Sequence, residues 1–223
     1  MNALPKAILF DLDDTIVTEG DRDAVLLKVA EDLHDQILPN DPATLADRVG
    51  TALDAFWSTS PDAKAARLEG STRAIHQARE RVIGDVLGKL GVAHNVAHAF
   101  ASRFSDVRSQ GLRLFDGAHD TIVILRNSGV RLALVANGAA DLQRAKLERF
   151  SLTPLFDHIQ IEGERGYGKP EEIAYLEAMQ ALGAASSDTW TVGDNLEHEV
   201  AVPQRLGLRD CRKFCAEAVC VIE

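Results

Sequence analysis

Four short strand candidates, separated by helical patterns, constrain the fold of this 223-residue chain more than any other feature. The candidates cover residues 6–10, 131–136, 156–161 and 188–192. The first two are apolar runs, which are typical of a strand buried on both faces. Apolar residues recur at helical spacing at 117–127, 140–150, 170–182 and 196–206. Strands that alternate with helices predict an α/β fold with a doubly wound parallel sheet.

Local signals predict two of the helix ends. Pro170 is expected at the first position of its helix, and Gly183 is expected to end that helix. Asp194 and Asn195 are equally good N-caps for the helix that follows them.

A long segment between the first two strands has helical periodicity and no convincing strand. We expect about four helices in it. The predicted boundaries assign residues 1–18 and 111–223 to an α/β core and residues 19–110 to an inserted all-helical unit. The hinges between them are expected near residues 16–20 and 109–115.

Composition narrows the range of partners. The formal net charge of −10 argues against a nucleic-acid binder, which would carry a basic surface. No apolar run is long enough to span a bilayer, and the first strand leaves no room for a signal peptide. Cys211, Cys215 and Cys220 lack the spacing of a disulfide framework, which indicates reduced thiols. We therefore expect a cytoplasmic protein with neither a nucleic-acid nor a membrane partner; nothing in the sequence indicates its oligomeric state.

Polar residues follow the predicted strands at the edge of the sheet where ligands bind in open parallel folds. These residues are Asp11 and Asp13, Asn137 and Gly138, Lys169, and Asp194 with Glu197 and Glu199 close behind it. Carboxylates brought together at one edge repel one another unless a cation lies between them. Mg²⁺ commonly binds one or two carboxylates together with substrate phosphate. The sequence therefore predicts a magnesium site at this edge.

The motifs at these strand ends resemble, in order and spacing, those of the haloacid dehalogenase-like hydrolases. The motifs are Asp11-Leu12-Asp13-Asp14-Thr15, Asn137-Gly138, Lys169-Pro170 and Gly193-Asp194 with Glu199. Gln143-Arg144 and Lys146-Leu147 resemble the subgroup of small-molecule phosphatases that carry a helical cap between the first and second motifs. The resemblance covers essentially the whole chain, and it implies that the inserted helical unit is such a cap.

The resemblance implies a role for each acidic residue and for the lysine. Asp11 would attack phosphorus and form an aspartyl-phosphate, and Asp13 would serve as general acid and then general base. Mg²⁺ would be held by Asp11, the backbone carbonyl of Asp13 and Asp194. Lys169 would neutralise charge on Asp11 and the phosphoryl group. Glu199 would support the waters of the metal from its second coordination shell.

The same resemblance implies a phosphate-binding site. Asn137, Gly138 and Thr15 are the expected substrate-binding residues, with backbone N–H groups cradling the phosphoryl oxygens. Two positions depart from the family pattern. Ala136 stands where a Thr or Ser hydroxyl usually binds a phosphoryl oxygen, and losing such a donor costs roughly a hundredfold in rate. Glu199 stands where Asp is commoner.

Asp13 favours one activity of the family over another. Release of an alkoxide needs a proton, whereas release of a halide does not, and the dehalogenases of this family lack an acid here. We therefore expect a Mg²⁺-dependent hydrolase of a small phosphorylated metabolite. The alternatives are a 2-haloacid dehalogenase, a phosphomutase, or a non-catalytic phosphate-binding protein with Ala136 as the mark of a weakened site.

Overall fold

The computed structural model describes residues 4–212, 214–215 and 218–219. It gives no side-chain description at residue 59 or from residue 210 onward, so the cysteine side chains, and the thiol state expected for them, lie outside what is described. The chain divides into two compact units. The α/β unit comprises Met1–Thr18 and Leu114–Glu223, and the helical unit comprises Glu19–Arg113.

The helical unit contains six helices among its described residues, four of them longer than ten residues. They are α1 Arg22–Asp32, α2 His34–Ile37, α3 Pro42–Thr59, α4 Pro61–Leu68, α5 Thr72–Lys89 and α6 His94–Gly111. The long helices bury a shared apolar core that includes Leu26, Leu53, Ile83, Phe100 and Phe104. Side-chain oxygens of Asp21, Asp41, Ser60 and Ser71 accept hydrogen bonds from the first turns of α1, α3, α4 and α5.

The described strands include the four that the sequence predicts. Their bounds are β1 Ala7–Phe10, β2 Val17–Thr18, β3 Arg113–Leu114, β4 Arg131–Ala136, β5 His158–Ile161, β6 Thr189–Gly193 and β7 Arg209–Arg212, followed by the two-residue strands β8 Phe214–Cys215 and β9 Ala218–Val219. Five of them form one parallel sheet in the order β5-β4-β1-β6-β7. The central strand β1 pairs with β4 and β6, which brings the residues after all three strands to the same edge.

Helices cover both faces of this sheet, as expected for a doubly wound fold. They are α7 Ala118–Asn127, α8 Ala140–Arg149, α9 Glu162–Arg165, α10 Glu172–Leu182 and α11 Val202–Arg205. On one face, Leu9 and Val135 pack against Tyr175 of α10. On the other, the Phe10 ring lies edge-on to Phe156 with 6.2 Å between centroids, and Ile122 of α7 lies beside it.

One of the predicted helix boundaries is wrong, one is confirmed, and one predicted helix differs in type. Helix α10 begins at Glu172, two residues after Pro170, because a turn closed by Glu171 N–H to the Gly168 carbonyl at 2.9 Å occupies the intervening positions. Gly183 does end α10, with φ +56°.

The helix expected at 196–206 is a π-helical turn, Glu197–Ala201, followed by α11. Carbonyls of this turn accept hydrogen bonds from outside it: the Thr191 hydroxyl donates to Glu199 at 2.6 Å, and the Tyr175 hydroxyl donates to His198. Pro203 has no N–H to donate to the Glu199 carbonyl four residues earlier, which interrupts the regular α-helical ladder and leaves that carbonyl to the Thr191 hydroxyl. Among the described residues, no helix combines the length and the apolarity needed to cross a membrane.

Candidate active site

Asp11 lies immediately after β1, where the chain leaves the sheet. Its backbone N–H donates to the Val192 carbonyl of the neighbouring strand at 2.8 Å, which fixes its position. The chain then turns sharply, with Asp14 at φ +52° and Ile16 N–H bound to the Leu12 carbonyl at 2.9 Å. Aspartate tolerates this left-handed conformation better than most residues. The turn leaves the Asp11 side chain 14% exposed.

Lys169 lies against Asp11 although the two are 158 positions apart in the chain. Its Nζ is 2.8 Å from Asp11 Oδ1, and its side chain is only 4% exposed. The backbone of Lys169 is held on both sides by Asn137: Lys169 N–H donates to Asn137 Oδ1 at 2.8 Å, and Asn137 Nδ2 donates to the Lys169 carbonyl at 2.6 Å. The Asn137 side chain thus sets the position of the lysine.

Glu199 supplies the second carboxylate that contacts Lys169. Its Oε1 is 2.6 Å from Lys169 Nζ, and its Oε2 accepts the backbone N–H of Asn195 at 3.1 Å. Gly193 makes room for this side chain, because a Cβ at that position would lie 2.1 Å from Glu199 Cγ. The second-shell role expected for Glu199 stays a prediction, since both of its carboxylate oxygens have protein partners here.

Asn195 caps the turn that carries Glu199. Its Oδ1 accepts the N–H groups of Glu197 at 3.0 Å and His198 at 3.1 Å. Of the two residues that suit the N-cap by sequence, Asn195 therefore takes the position. The Asp194 carboxylate is exposed at the end of β6, beside Gly193.

The carboxylates at this edge carry more negative charge than Lys169 offsets. Burial raises the pKa of Asp11, and the opposing effect of Lys169 is not enough to reverse the shift. Burial and then Asp11 raise the pKa of Glu199 to about 7, again against Lys169. Partial desolvation and then the charges of Asp11 and Asp14 raise the pKa of Asp194. Burial disfavours the ammonium of Lys169, but Asp11 and Glu199 outweigh it and raise the lysine pKa.

This charge balance and donor set fit a hard divalent cation. Asp11 and Asp194 offer carboxylate oxygens and Asp13 offers a backbone carbonyl, the ligand type that Mg²⁺ prefers. Among the described residues, no three His, Cys, Asp or Glu side chains converge as a ready-made metal cluster.

The Asp13 carboxylate is held by two residues of α8 that the sequence did not mark as site residues. Gln143 Nε2 donates to Asp13 Oδ2 at 2.7 Å, and Lys146 Nζ is 2.6 Å from Asp13 Oδ1. Both α8 residues are buried, at 3% and 8% exposure. Buried polar residues three positions apart on one helix are the signal that would have found them.

The structure gives the expected phosphate-binding residues protein partners. Gly138 N–H donates to Oε2 of the buried Glu162 at 3.0 Å, and the Asn137 side chain holds Lys169 as described above. Gly138 has φ +122°, and a Cβ there would lie 2.8 Å from Gln143 Nε2. Glycine is therefore required at this turn by both backbone conformation and space.

Thr15 and Ala136 are both buried, at 2% exposure each. Thr15 lines a small space with Phe10 and Ile122 on the α7 side of the sheet, and within the described chain its hydroxyl has no hydrogen-bond partner. The substrate-binding role expected for Thr15 stays a prediction. Ala136 ends β4 directly before Asn137, so this position offers no hydroxyl to the site.

A family model described as haloacid dehalogenase-like hydrolase matches residues 5–207. The chain belongs to this family. The match includes all four motifs whose side chains or backbone meet at the edge of the sheet. This haloacid dehalogenase-like chain is 33% identical over 167 residues to a phosphoserine phosphatase of Thermus thermophilus. That match covers 74% of this chain and 65% of the relative, so the chain spans just under two thirds of that phosphatase.

Two further similarities extend over most of the chain. A glyceraldehyde 3-phosphate phosphatase of Methanopyrus kandleri is 25% identical over 209 residues, covering 91% of this chain and 81% of the relative. A magnesium-bound HAD-hydrolase of Bacillus subtilis has a similar structure, with a TM-score of 0.67 and 24% identity. The alignment covers 94% of this chain and 89% of that one, and it shows a shared fold.

Proposed function

We propose that this protein is a Mg²⁺-dependent phosphatase that hydrolyses a small phosphomonoester through an aspartyl-phosphate on Asp11. One observation carries the proposal: Lys169 Nζ lies 2.8 Å from Asp11 Oδ1 in a nearly closed environment. A carboxylate nucleophile that approaches an anionic phosphoryl group needs positive charge beside it. Lys169 supplies that charge, and Asn137 and Glu199 keep it in place.

In the first half-reaction, an oxygen of Asp11 attacks phosphorus while the bond to the leaving oxygen breaks. The leaving oxygen takes a proton from Asp13, two residues further on, which becomes a carboxylate. In the second half-reaction, water attacks the phosphorus of the aspartyl-phosphate and gives a proton to Asp13. The bond between phosphorus and Asp11 breaks, inorganic phosphate leaves, and both acids return to their starting states.

The metal ligands in this proposal are Asp11, the backbone carbonyl of Asp13, and Asp194. When bound, Mg²⁺ neutralises charge on the carboxylates and on the phosphoryl group. Burial, and to a smaller extent neighbouring carboxylates, raise the pKa of Asp11 and of Asp194, so a bound cation would stabilise the ionised form of both.

The substrate class follows from the relatives and from the two-unit organisation. Phosphatases similar to this chain are named for phosphoserine and glyceraldehyde 3-phosphate, both small phosphomonoesters. We assign the α/β unit to catalysis and the helical unit to the role of a cap that excludes water and selects the substrate. The hinges of the cap would lie near residues 16–20 and 109–115.

The experiment is phosphate release from a panel of small phosphomonoesters, with and without Mg²⁺. The panel includes phosphoserine, glyceraldehyde 3-phosphate, sugar phosphates and nucleoside monophosphates. We expect release that needs Mg²⁺ and that disappears in Asp11→Asn, with a cooperative thermal melt showing that the variant is folded.

Other outcomes would assign a different activity. Halide release from a 2-haloacid without metal would identify a dehalogenase. Phosphoryl transfer that depends on a bisphosphate activator would identify a mutase. A folded protein that binds phosphate but turns over none of these compounds would be a binding protein.

A further inference from the structure

Helix α8 presents two buried donors to a single carboxylate. Gln143 and Lys146 are three positions apart, so their side chains extend from the same face of the helix. Gln143 binds one oxygen of Asp13 at 2.7 Å and Lys146 binds the other at 2.6 Å. A carboxylate bound at both oxygens by one rigid helix has its plane fixed.

The Gln143 amide is oriented so that its Nε2 binds Asp13, and this orientation leaves its own Oε1 unsatisfied among the described residues. Its Nε2 donates both to Asp13 Oδ2 and to the Asn137 carbonyl, the latter at 2.5 Å. Within the described residues its Oε1 is buried without a hydrogen-bond partner. Such an orphan acceptor is unfavourable. This unfavourable orientation of the Gln143 amide is explained if its donor, Nε2, has a function at Asp13.

The burial of Lys146 would also be unfavourable if the residue had only a structural role. Its side chain is 10% exposed, and burying a lysine ammonium costs free energy that pairing only partly returns. An apolar side chain would pack α8 against the sheet without that cost. Asp13, in contrast, is 41% exposed, so it is the end of this pair that faces incoming molecules.

We propose that Gln143 and Lys146 are positioning residues that aim the Asp13 carboxyl group and stabilise it as it releases its proton to the leaving oxygen. This inference rests on the proposed phosphatase function. As the bond from phosphorus to the leaving oxygen breaks, the proton moves from Asp13 to that oxygen and negative charge appears on Asp13. Hydrogen bonds from Gln143 and Lys146 strengthen at that moment, so they lower the barrier for esters that need the proton.

The test uses leaving groups that differ in their need for a proton. A 4-nitrophenolate departs without protonation, whereas an alkoxide does not. The value of kcat/KM is measured for 4-nitrophenyl phosphate and for a series of alkyl phosphates, since it reports the steps up to departure of the leaving group. We expect Lys146→Met to lose about tenfold or more on the alkyl esters and less than about twofold on the nitrophenyl ester.

The matched control is Arg144→Met, on the same helix. Arg144 is 45% exposed and pairs with Glu164 at 2.6 Å, so the change removes a cation from α8 without touching Asp13. It is expected to leave both rates unchanged. Lys146→Arg keeps the cation and is expected to restore most of the alkyl-ester rate.

A double-mutant comparison establishes that the effect passes through Asp13. In an Asp13→Asn background, Lys146→Met is expected to cause no further loss on alkyl esters, because the acid that it positions is gone. If Lys146→Met proves unfolded in a thermal melt, Gln143→Met replaces it and must show the same selective loss.

The failures of this inference and of the proposed function are distinguishable. An active native enzyme in which the α8 variants lose equally on both kinds of ester, or lose nothing, overturns the positioning role alone. A native enzyme that hydrolyses no phosphomonoester overturns the proposed function, and the positioning role with it.

Discussion

Gly193 ends β6, and its missing side chain is what admits Glu199 to the site. In Gly193→Ala the new Cβ would lie 2.1 Å from Glu199 Cγ. Carbon atoms in contact sit about 3.5–4.0 Å apart, so Glu199 would have to move by about 1.5 Å. That displacement breaks its 2.6 Å contact with Lys169 and leaves the buried lysine with Asp11 alone.

The expected cost of Gly193→Ala combines overpacking with a weakened buried ion pair. Overpacking a core position costs about 1–3 kcal/mol, and disrupting a buried pair costs about 3–5 kcal/mol when one partner is lost outright. Because Glu199 moves rather than disappears, we expect a loss of about 3 kcal/mol. For a chain of this size that lowers the melting temperature by roughly 6–12 °C. We also expect kcat/KM to fall by about tenfold or more as Lys169 shifts.

Thermal unfolding and phosphomonoester hydrolysis measure the two effects. The control is Gly84→Ala on α5, where a Cβ would meet nothing within 4 Å and alanine is expected to stabilise the helix by up to about 1 kcal/mol. A Gly193→Ala protein with native melting temperature and native activity would refute the reasoning, because it would mean that the position of Glu199 supports neither the fold nor Lys169.

Three further changes probe other parts of the chain. Ala136→Thr restores a hydroxyl at the end of β4 and is expected to raise kcat by up to about a hundredfold; an unchanged or lower kcat would show that the site does not use that contact. Gly138→Ala forces a φ of +122° on alanine and crowds Gln143, so urea unfolding should report a loss of about 1–3 kcal/mol, and native stability would contradict this. Arg22 holds the pKa of Asp54 below its usual value. The folded-state pKa is therefore the lower one, so the stabilisation is present above about pH 4 and is lost as the pH falls further. Asp54 is exposed, so Asp54→Asn should cost less than about 1 kcal/mol at pH 7 and nothing near pH 2 in chemical unfolding; an equal cost at both pH values would contradict the pairing.

The sheet could be predicted from the sequence because its strands are buried on both faces. Residues 131–136 form an apolar run with no polar alternation, and the structure has β4 over that range. The end of α10 followed from Gly183, whose left-handed conformation is a local property.

The start of α10 was not predicted, because Pro170 suits the first position of a helix but the turn from Gly168 to Glu171 occupies that place. The π-helical type of the turn near Glu199 was not predicted either. Pro203 removes the hydrogen bond to the Glu199 carbonyl, but the hydroxyl groups of Thr191 and Tyr175 that bind carbonyls of this turn come from another strand and another helix. Local propensity carries no information about such partners.

The candidate site, like the fold, could be predicted from the sequence only in part. Asp11 and Lys169 were placed together by their positions at strand ends, and the 2.8 Å contact between them agrees with that expectation. Gln143 and Lys146 stood out in the sequence only as part of a family motif, and their contacts with Asp13 were not anticipated, because those contacts depend on how α8 packs. A polar residue reveals its role only when the three-dimensional contact is seen.

The central claim is that Asp11 becomes covalently phosphorylated, and acid quenching between the two half-reactions tests it most directly. Release of labelled phosphate in heavy-oxygen water would not decide it, because direct attack of water on the substrate phosphorus gives the same label. Acid quenching before the second half-reaction, in Asp13→Asn with Mg²⁺ and 4-nitrophenyl phosphate, should trap a phosphoryl group on the peptide that contains Asp11. We expect mass spectrometry to find that modification and to find none in Asp11→Asn. Burst release of nitrophenolate with no phosphorylated peptide would contradict the account.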